Sequence, residues 1–297
     1  SREGTFVDRY WAGKQRPMFS FEIVSDGGQI SFYIWTERFY KELIEAQIYA
    51  QYPEVEVHEV EDYTHQFHYN ENAHEIWGCD YTLTSDDVLP IKSYIDFGLD
   101  KDPKEEFRID PTAHVMETLS SLKAGEKGWL QIIVQADKDQ RHKPGTWFGT
   151  EPRWKNEAKE MIEKIKDESS IPATSPDGFP RFRPLTEGQT EKIKAIERSM
   201  DKPQFRTGMR FIYIADKDKF RAINITTFLN IFKQFSSISH NGFKPSGWLA
   251  VFDYPWQDFR NIRKSRVKKK LVHAYQIREF FYAEYEAPLY PFYTNPG

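Results

Sequence analysis

The densest group of side chains able to hold a metal is His58, Glu59, His65, His68 and His74. A zinc protease needs two histidines four residues apart on a helix, with a glutamate beside the first, so that both imidazoles face one ion. Four residues after His58 stands Asp62, and the segment reads as strand. The helical geometry fails, and solvated imidazoles in a polar loop are the plainer reading of His65 and His68. ATP chemistry would require Gly-x-x-x-x-Gly-Lys-Ser/Thr, whose backbone amides and lysine surround the phosphates. No such run occurs, nor a dinucleotide fingerprint between strand and helix, nor a Gly-x-Ser-x-Gly nucleophile elbow. Nucleotide hydrolysis by this segment is not expected, no cofactor is expected, and no catalytic or metal-binding residue is assigned.

A second group carries charge. Arg260, Arg263, Lys264, Arg266, Lys268, Lys269 and Lys270 lie at the start of an apolar helical stripe of Val267, Leu271, Ala274, Ile277 and Phe281. On a helical wheel Lys264 and Lys268 point away from the stripe, whereas Arg263 and Lys270 fall within or near it and must snorkel or meet an anion. Three partners suit the run. Neutralising about four phosphates of a nucleic acid would give a log–log salt slope near −3.6. Anionic lipid headgroups would attract it at roughly 1 kcal/mol per basic residue. A solvated helix, or one that meets acidic side chains of the first half of the chain, needs no ligand at all. Trp35, Tyr33, Trp77, Tyr81 and Trp129 could stack bases on a sheet, or equally cover a partner interface. Without a ribonucleoprotein motif, the interface is preferred.

The 297 residues suit about two domains of ordinary size, and the single Cys79 excludes an intrachain disulfide. A reducing compartment follows, and no window reaches the roughly 20 apolar residues that cross a bilayer. The net charge of −4 hides segregation: residues 1–120 hold 10 basic and 24 acidic side chains, the remainder 31 and 21. Opposed charge could draw two lobes together or give each its own partner.

The elements follow from periodicity. Phe19, Phe21 and Ile23 alternate with Ser20 and Glu22, Gly27-Gly28 supplies a turn, and Ile30, Phe32 and Ile34 resume the alternation, which predicts a hairpin. Thr36 is placed to cap a helix with Phe39, Tyr40, Leu43, Ile44, Ala46 and Ala50 on its buried side, ended by Pro53. Val55 and Val57 begin another strand, giving β-β-α-β. A strand over 76–84, a helix entered at Asp110-Pro111 and a buried strand from Trp129 to Ala136 complete this half. Prolines and glycines crowd the stretch from Gln140 to Pro184, which holds one charged helix. Thr186 and Gln189 have capping-box spacing, a strand spans Gly208 to Ala215, and a helix carries Phe220, Ile225, Phe228, Ile231, Phe232 and Phe235. The two strands end in Ala136-Asp137-Lys138-Asp139 and Ala215-Asp216-Lys217-Asp218, consistent with duplication or with chance similarity of polar turns. Trp248 to Phe252 reads as a short buried strand. The expected class is α+β: an acidic lobe over 1–139, a Pro/Gly-rich linker over 140–184, and a basic lobe over 185–297 with a long C-terminal helix. The lobes are expected to be built from ferredoxin-like β-β-α-β and α-β units.

Five stretches carry a resemblance: Phe19-Ser20-Phe21-Glu22-Ile23-Val24-Ser25, Ile30-Ser31-Phe32-Tyr33-Ile34-Trp35-Thr36, Glu45 to Pro53, Glu59-Val60-Glu61-Asp62-Tyr63, and Phe252-Asp253-Tyr254-Pro255-Trp256-Gln257-Asp258-Phe259. The chain resembles the N-terminal, non-motor region of membrane-anchored type IV secretion or conjugation-like ATPases from candidate-phyla bacteria. The resemblance implies a cytoplasmic domain at the inner membrane face, with an anchor before it and a P-loop motor after it. Its partners would be the motor or other secretion-machine subunits, in an oligomer, with DNA and an anionic membrane surface as further possibilities. The resemblance supplies no catalytic residue.

Overall fold

Gly27 and Gly28 both take positive φ, 59° and 93°, and turn β1 (Met18–Asp26) into β2 (Gln29–Trp35). Positive φ at both central positions makes a type I′ turn, whose twist matches the flanking strands. A Cβ at Gly28 would stand 2.6 Å from the carbonyl oxygen of Ser120, so the turn also passes too close to its neighbour for a side chain. The computed structural model describes residues 17–100, 110–136, 140–142, 150–169, 173–174, 180–181, 184–248, 258 and 262–280.

After β2, a 3₁₀ turn over Arg38–Tyr40 leads into α1 (Lys41–Gln51). Tyr40 holds the cap position without a side-chain bond, so Thr36 does not cap this helix as expected. None of the residues of α1 is buried; its expected inner side is open, with Phe39 86% and Leu43 56% exposed. The strand expected at Val55 and Val57 does not form. Residues 54–62 are irregular and Val55 and Val60 are exposed, because alternation alone cannot hold a strand without a ladder partner. The β-β-α-β unit is therefore not completed there.

The chain next enters the sheet at β3 (His74–Leu83), then folds α2 (Ala113–Ser120) and β4 (Glu126–Ala136). Two small ribbons follow, β5 (Gln140–His142) with β6 (Thr150–Pro152) and β7 (Ala173–Thr174) with β8 (Pro180–Arg181), around α3 (Arg153–Ser169). α4 (Glu187–Met200) opens with the expected capping box: the Gln189 N–H donates to Thr186 Oγ1 at 3.3 Å and the Thr186 N–H to Gln189 Oε1 at 3.0 Å. β9 (Phe205–Asp216), α5 (Ala222–Leu229), β10 (Phe243–Ser246) and α6 (Ile262–Gln276) complete the order. The expected helix through Phe235 breaks at Asn230, and Lys233–Phe235 forms a separate 3₁₀ turn. The strand expected over Trp248 to Phe252 lies mostly outside the described residues; Trp248 itself is in a bend.

The α+β class is observed, with one six-stranded antiparallel sheet in the order β10-β3-β9-β4-β1-β2. β9 lies between β3 and β4, so the segments expected as separate acidic and basic lobes share a single sheet. Both halves can do so because β9 is buried along both faces from Gly208 to Ala215, as a central strand must be. The repeated α-β order does not bring repeated packing. Val115 and Leu119 of α2 lie on the sheet, whereas Ile193 and Ile196 of α4 pack on Ala158, Ile162 and Ile165 of α3.

The sheet separates two cores. On the upper face Cys79, Tyr81, Leu130, Phe211 and Tyr213 meet α2 and the segment from Phe228 to Phe232. On the lower face Val24, Ile76, Trp129, Ile212 and Ile214 meet Phe67 and the Leu271, Val272 and Tyr275 side of α6. Gly78 lets α6 approach, since a Cβ there would stand 2.7 Å from Leu271 Cδ2.

Candidate functional site

α6 begins where Asp258 accepts from two of its free backbone amides, those of Arg263 and Lys264, each at 2.8 Å. The positive end of this helix dipole is thereby occupied by the chain's own carboxylate. Of the basic run, Arg263, Lys264, Arg266, Lys269 and Lys270 are exposed, while Arg260 lies outside the described residues. Lys268 is only 13% exposed and forms an ion pair with Glu75 of β3. Lys269 comes within 3.9 Å of Glu71, whose carboxylate also accepts from Ser265 Oγ at 2.6 Å. The wheel placed Lys268 outward and Arg263 and Lys270 inward; the structure reverses this. Leu271, Val272, Ala274 and Tyr275 form a buried side broader than the anticipated stripe, and Lys268 lies over the turn that precedes it. Ile277 is exposed, and Phe281 lies outside the described residues.

The histidines do not converge. His58 is exposed beside Glu56, His65 and His68 are exposed, and His74 Nδ1 accepts from the Asn70 N–H at 3.2 Å. Among the described residues no group of three or more His, Cys, Asp or Glu side chains is placed to hold a metal ion. Cys79 is buried, which pushes its thiol up to about 12 and removes the thiolate at neutral pH.

A different constellation emerges from the register. Asp80 stands opposite Arg210, Arg210 opposite Gln131, and Gln131 opposite Glu22. Cross-strand partners project to the same face, so one polar row crosses four strands on the lower face of the sheet. Arg210 Nε donates to Asp80 Oδ1 at 2.8 Å, and Trp248 Nε1 to Asp80 Oδ2 at 2.9 Å. Burial raises the Asp80 carboxyl above its ordinary range, although Arg210 opposes the shift. Gln131 Nε2 donates to Glu22 Oε1 and to the carbonyl oxygen of Tyr275, both at 3.1 Å. Ser20 Oγ and Tyr63 Oη donate to the Glu22 carboxylate at 2.7 and 2.8 Å.

Arg278 closes the row from the side of α6. It follows α6 at a left-handed φ of 52°, and its buried guanidinium donates to Glu22 through Nε at 3.0 Å and Nη2 at 3.2 Å. It also pairs with Asp62 and lies 5.4 Å from the centre of the Trp35 ring. Desolvation works against its charge, but Asp62 and Glu22 outweigh that and raise its pKa. Burial pushes the Tyr63 and Tyr275 hydroxyls upward, so both remain protonated donors. The arrangement seats the end of α6 on the sheet. In sequence, Glu22 looked like the outward member of the β1 alternation; it is buried, and Phe21 is the half-exposed one.

On the upper face Glu126 is held by Arg221 Nε and Nη2 at 2.8 and 2.6 Å, by Tyr213 Oη at 2.5 Å and by the Lys123 N–H at 2.7 Å. Burial alone would raise this carboxyl; the donors prevail and hold it at about 2. In the turn that ends at His240, the imidazole Nδ1 lies 2.9 Å from Ser237 Oγ, and Nε2 lies 3.5 Å from Asp96 Oδ1. The His240 N–H closes that turn on the Ser237 carbonyl, so hydroxyl and imidazole meet through local chain reversal, while Asp96 also accepts from Ser93 and Arg198.

One apolar surface lies outside both cores. On the upper face, α2 reaches only the turn end of the hairpin, where Ser25 Oγ donates to the Leu119 carbonyl at 2.7 Å. Beyond it Phe21, Phe32, Ile34, Phe39 and Leu43 are exposed, and Tyr40 meets Phe19 edge-on at 5.5 Å. The sequence signalled these side chains as apolar, without showing that nothing in the described structure covers them.

The family model described as Domain of unknown function (DUF8128) matches residues 7–251. The chain belongs to this family. The DUF8128 match runs through every strand of the sheet and stops before α6, so the polar row from Asp80 to Glu22 lies within it while Tyr275 and Arg278 lie beyond it. No curated protein and no solved structure matches the chain.

Proposed function

We propose that this DUF8128 chain is a non-catalytic assembly domain of a type IV secretion or conjugation-like translocation ATPase. It acts through protein–protein contacts, with the energy source in a motor segment and attachment to the inner membrane face through an anchor, both outside these residues. The observation that supports this reading is the set of apolar side chains Phe21, Phe32, Ile34, Phe39 and Leu43 that stay exposed among the described residues, because exposed apolar surface of this kind marks interaction sites. Among the described residues no helix is long and apolar enough to cross a membrane, so the reading needs its anchor elsewhere. The test has two arms. The isolated chain should hydrolyse no ATP, and Phe39→Asp or Leu43→Asp should weaken its binding to the motor segment of the same machine. ATP turnover lost on a single substitution within this chain, or motor binding unchanged in both variants, overturns the reading.

A second reading, a nucleic-acid module, is supported by the exposed Arg263, Lys264 and Arg266 at the start of α6. It requires salt-sensitive binding that charge reversal of these residues removes.

A further inference from the structure

The two edges of the sheet are built differently. β10 is four residues long and carries Lys244 and Pro245, two of the devices by which natural proteins blunt an edge strand. β2 is seven residues long, QISFYIW, with no charge and no proline. Among the described residues only β1 pairs with it.

The type I′ turn determines which backbone groups of β2 face outward. It is closed by the pair Asp26 and Gln29, so the hydrogen-bonded pairs with β1 continue at Ser31, Tyr33 and Trp35. The amides and carbonyls of Ile30, Phe32 and Ile34 therefore point away from β1. Their side chains lie on the upper face, where Phe32 is 68% exposed. The run Ile30-Ser31-Phe32-Tyr33-Ile34 is also symmetric about Phe32 in its apolar members.

We propose that β2 pairs antiparallel with β2 of a second copy of this chain, about a two-fold axis at Phe32, and joins two sheets into one. Phe32 then faces Phe32 of the other copy, Ile30 faces Ile34, and about six ladder hydrogen bonds form with no charge set against a like charge. A single strand is a small interface, and Phe21, opposite Ile34 and half exposed on the same face, supplies further apolar area beside it. This deepens the assembly reading, on which it rests, by naming the partner at the same surface.

The test uses the whole 297-residue chain in sedimentation or light scattering at micromolar concentration. The unsubstituted chain should be a dimer. Phe32→Lys and Phe32→Glu, at an exposed position that leaves the fold intact, should each raise the dissociation constant by about tenfold or more, since like charges would meet on the axis. An equimolar mixture of the two variants should regain the dimer, because only a two-fold at Phe32 sets lysine against glutamate. A monomeric unsubstituted chain, a dimer indifferent to both substitutions, or a mixture that stays monomeric overturns the proposal. If a monomer shows slow amide exchange at Ile30, Phe32 and Ile34, another part of the chain covers the edge, and the proposal also falls. A monomer that still binds the motor would lose self-pairing alone, whereas a Phe32-dependent dimer that ignores the motor would count against the motor assignment alone.

Discussion

Arg278 and Glu22 are separated by 256 positions in the chain and by 3.0 Å, Nε to Oε1, in the fold. The residue that ends α6 in a left-handed conformation is thus the one that neutralises a buried carboxylate in the middle of β1.

Removing one side of that pair leaves the other charged, buried and unmatched. Arg278→Leu should therefore reduce the unfolding free energy by about 3–5 kcal/mol in denaturant titrations. The double variant Arg278→Leu, Glu22→Gln should recover part of the loss, because the buried Glu22 charge is no longer stranded, while Asp62 still lacks its arginine. If the losses simply add, the two side chains are not coupled.

Acid should weaken the fold through Glu126 and Asp96. Desolvation opposes their ionisation, but Arg221 and Tyr213 at one, and Ser93 and Arg198 at the other, hold both carboxyls at about 2. A depressed folded pKa stabilises above the unfolded value and is lost as pH falls through the folded one. Unfolding free energy should thus decline from about pH 4.5 toward 2, with about 3 kcal/mol from Glu126. Glu126→Gln should flatten this part of the pH profile; an unchanged slope would place the acid sensitivity elsewhere.

The two faces of α6 should respond differently to charge reversal. Lys268→Glu sets two carboxylates together where Glu75 now meets a part-buried lysine, and should cost about 1–3 kcal/mol. Lys264→Glu, on the exposed side, should change stability by no more than about 0.5 kcal/mol. If nucleic acid binds here, Lys264→Glu should also reduce the salt slope by roughly 0.9.

The Cys79 thiol should be silent toward a coloured disulfide reagent in the folded protein, since it is buried and its pKa is pushed up to about 12. One equivalent should react when denaturant is added. Rapid reaction without denaturant would mean that β3 opens to solvent in the native state.

The sequence by itself determined the features that depend on neighbours in the chain. The two-glycine reversal, the Thr186 and Gln189 capping box, the helix over Arg153–Ser169 and the buried run of β4 are each written in a few consecutive residues. The basic character of α6 was equally plain. Alternation in β1 showed that Phe21 and Glu22 lie on opposite faces, but not which face would be covered, because period two carries parity and no direction. Tertiary structure decided that. α6 and Arg278 cover the Glu22 face, whereas α2 ends before Phe21 and Phe32. The same limit hid the polar row, since Asp80, Arg210, Gln131 and Glu22 become neighbours only when β9 enters between β3 and β4. Val55 and Val57 failed to become a strand for the complementary reason: a strand is a property of a pair, and none of the described strands lies beside them.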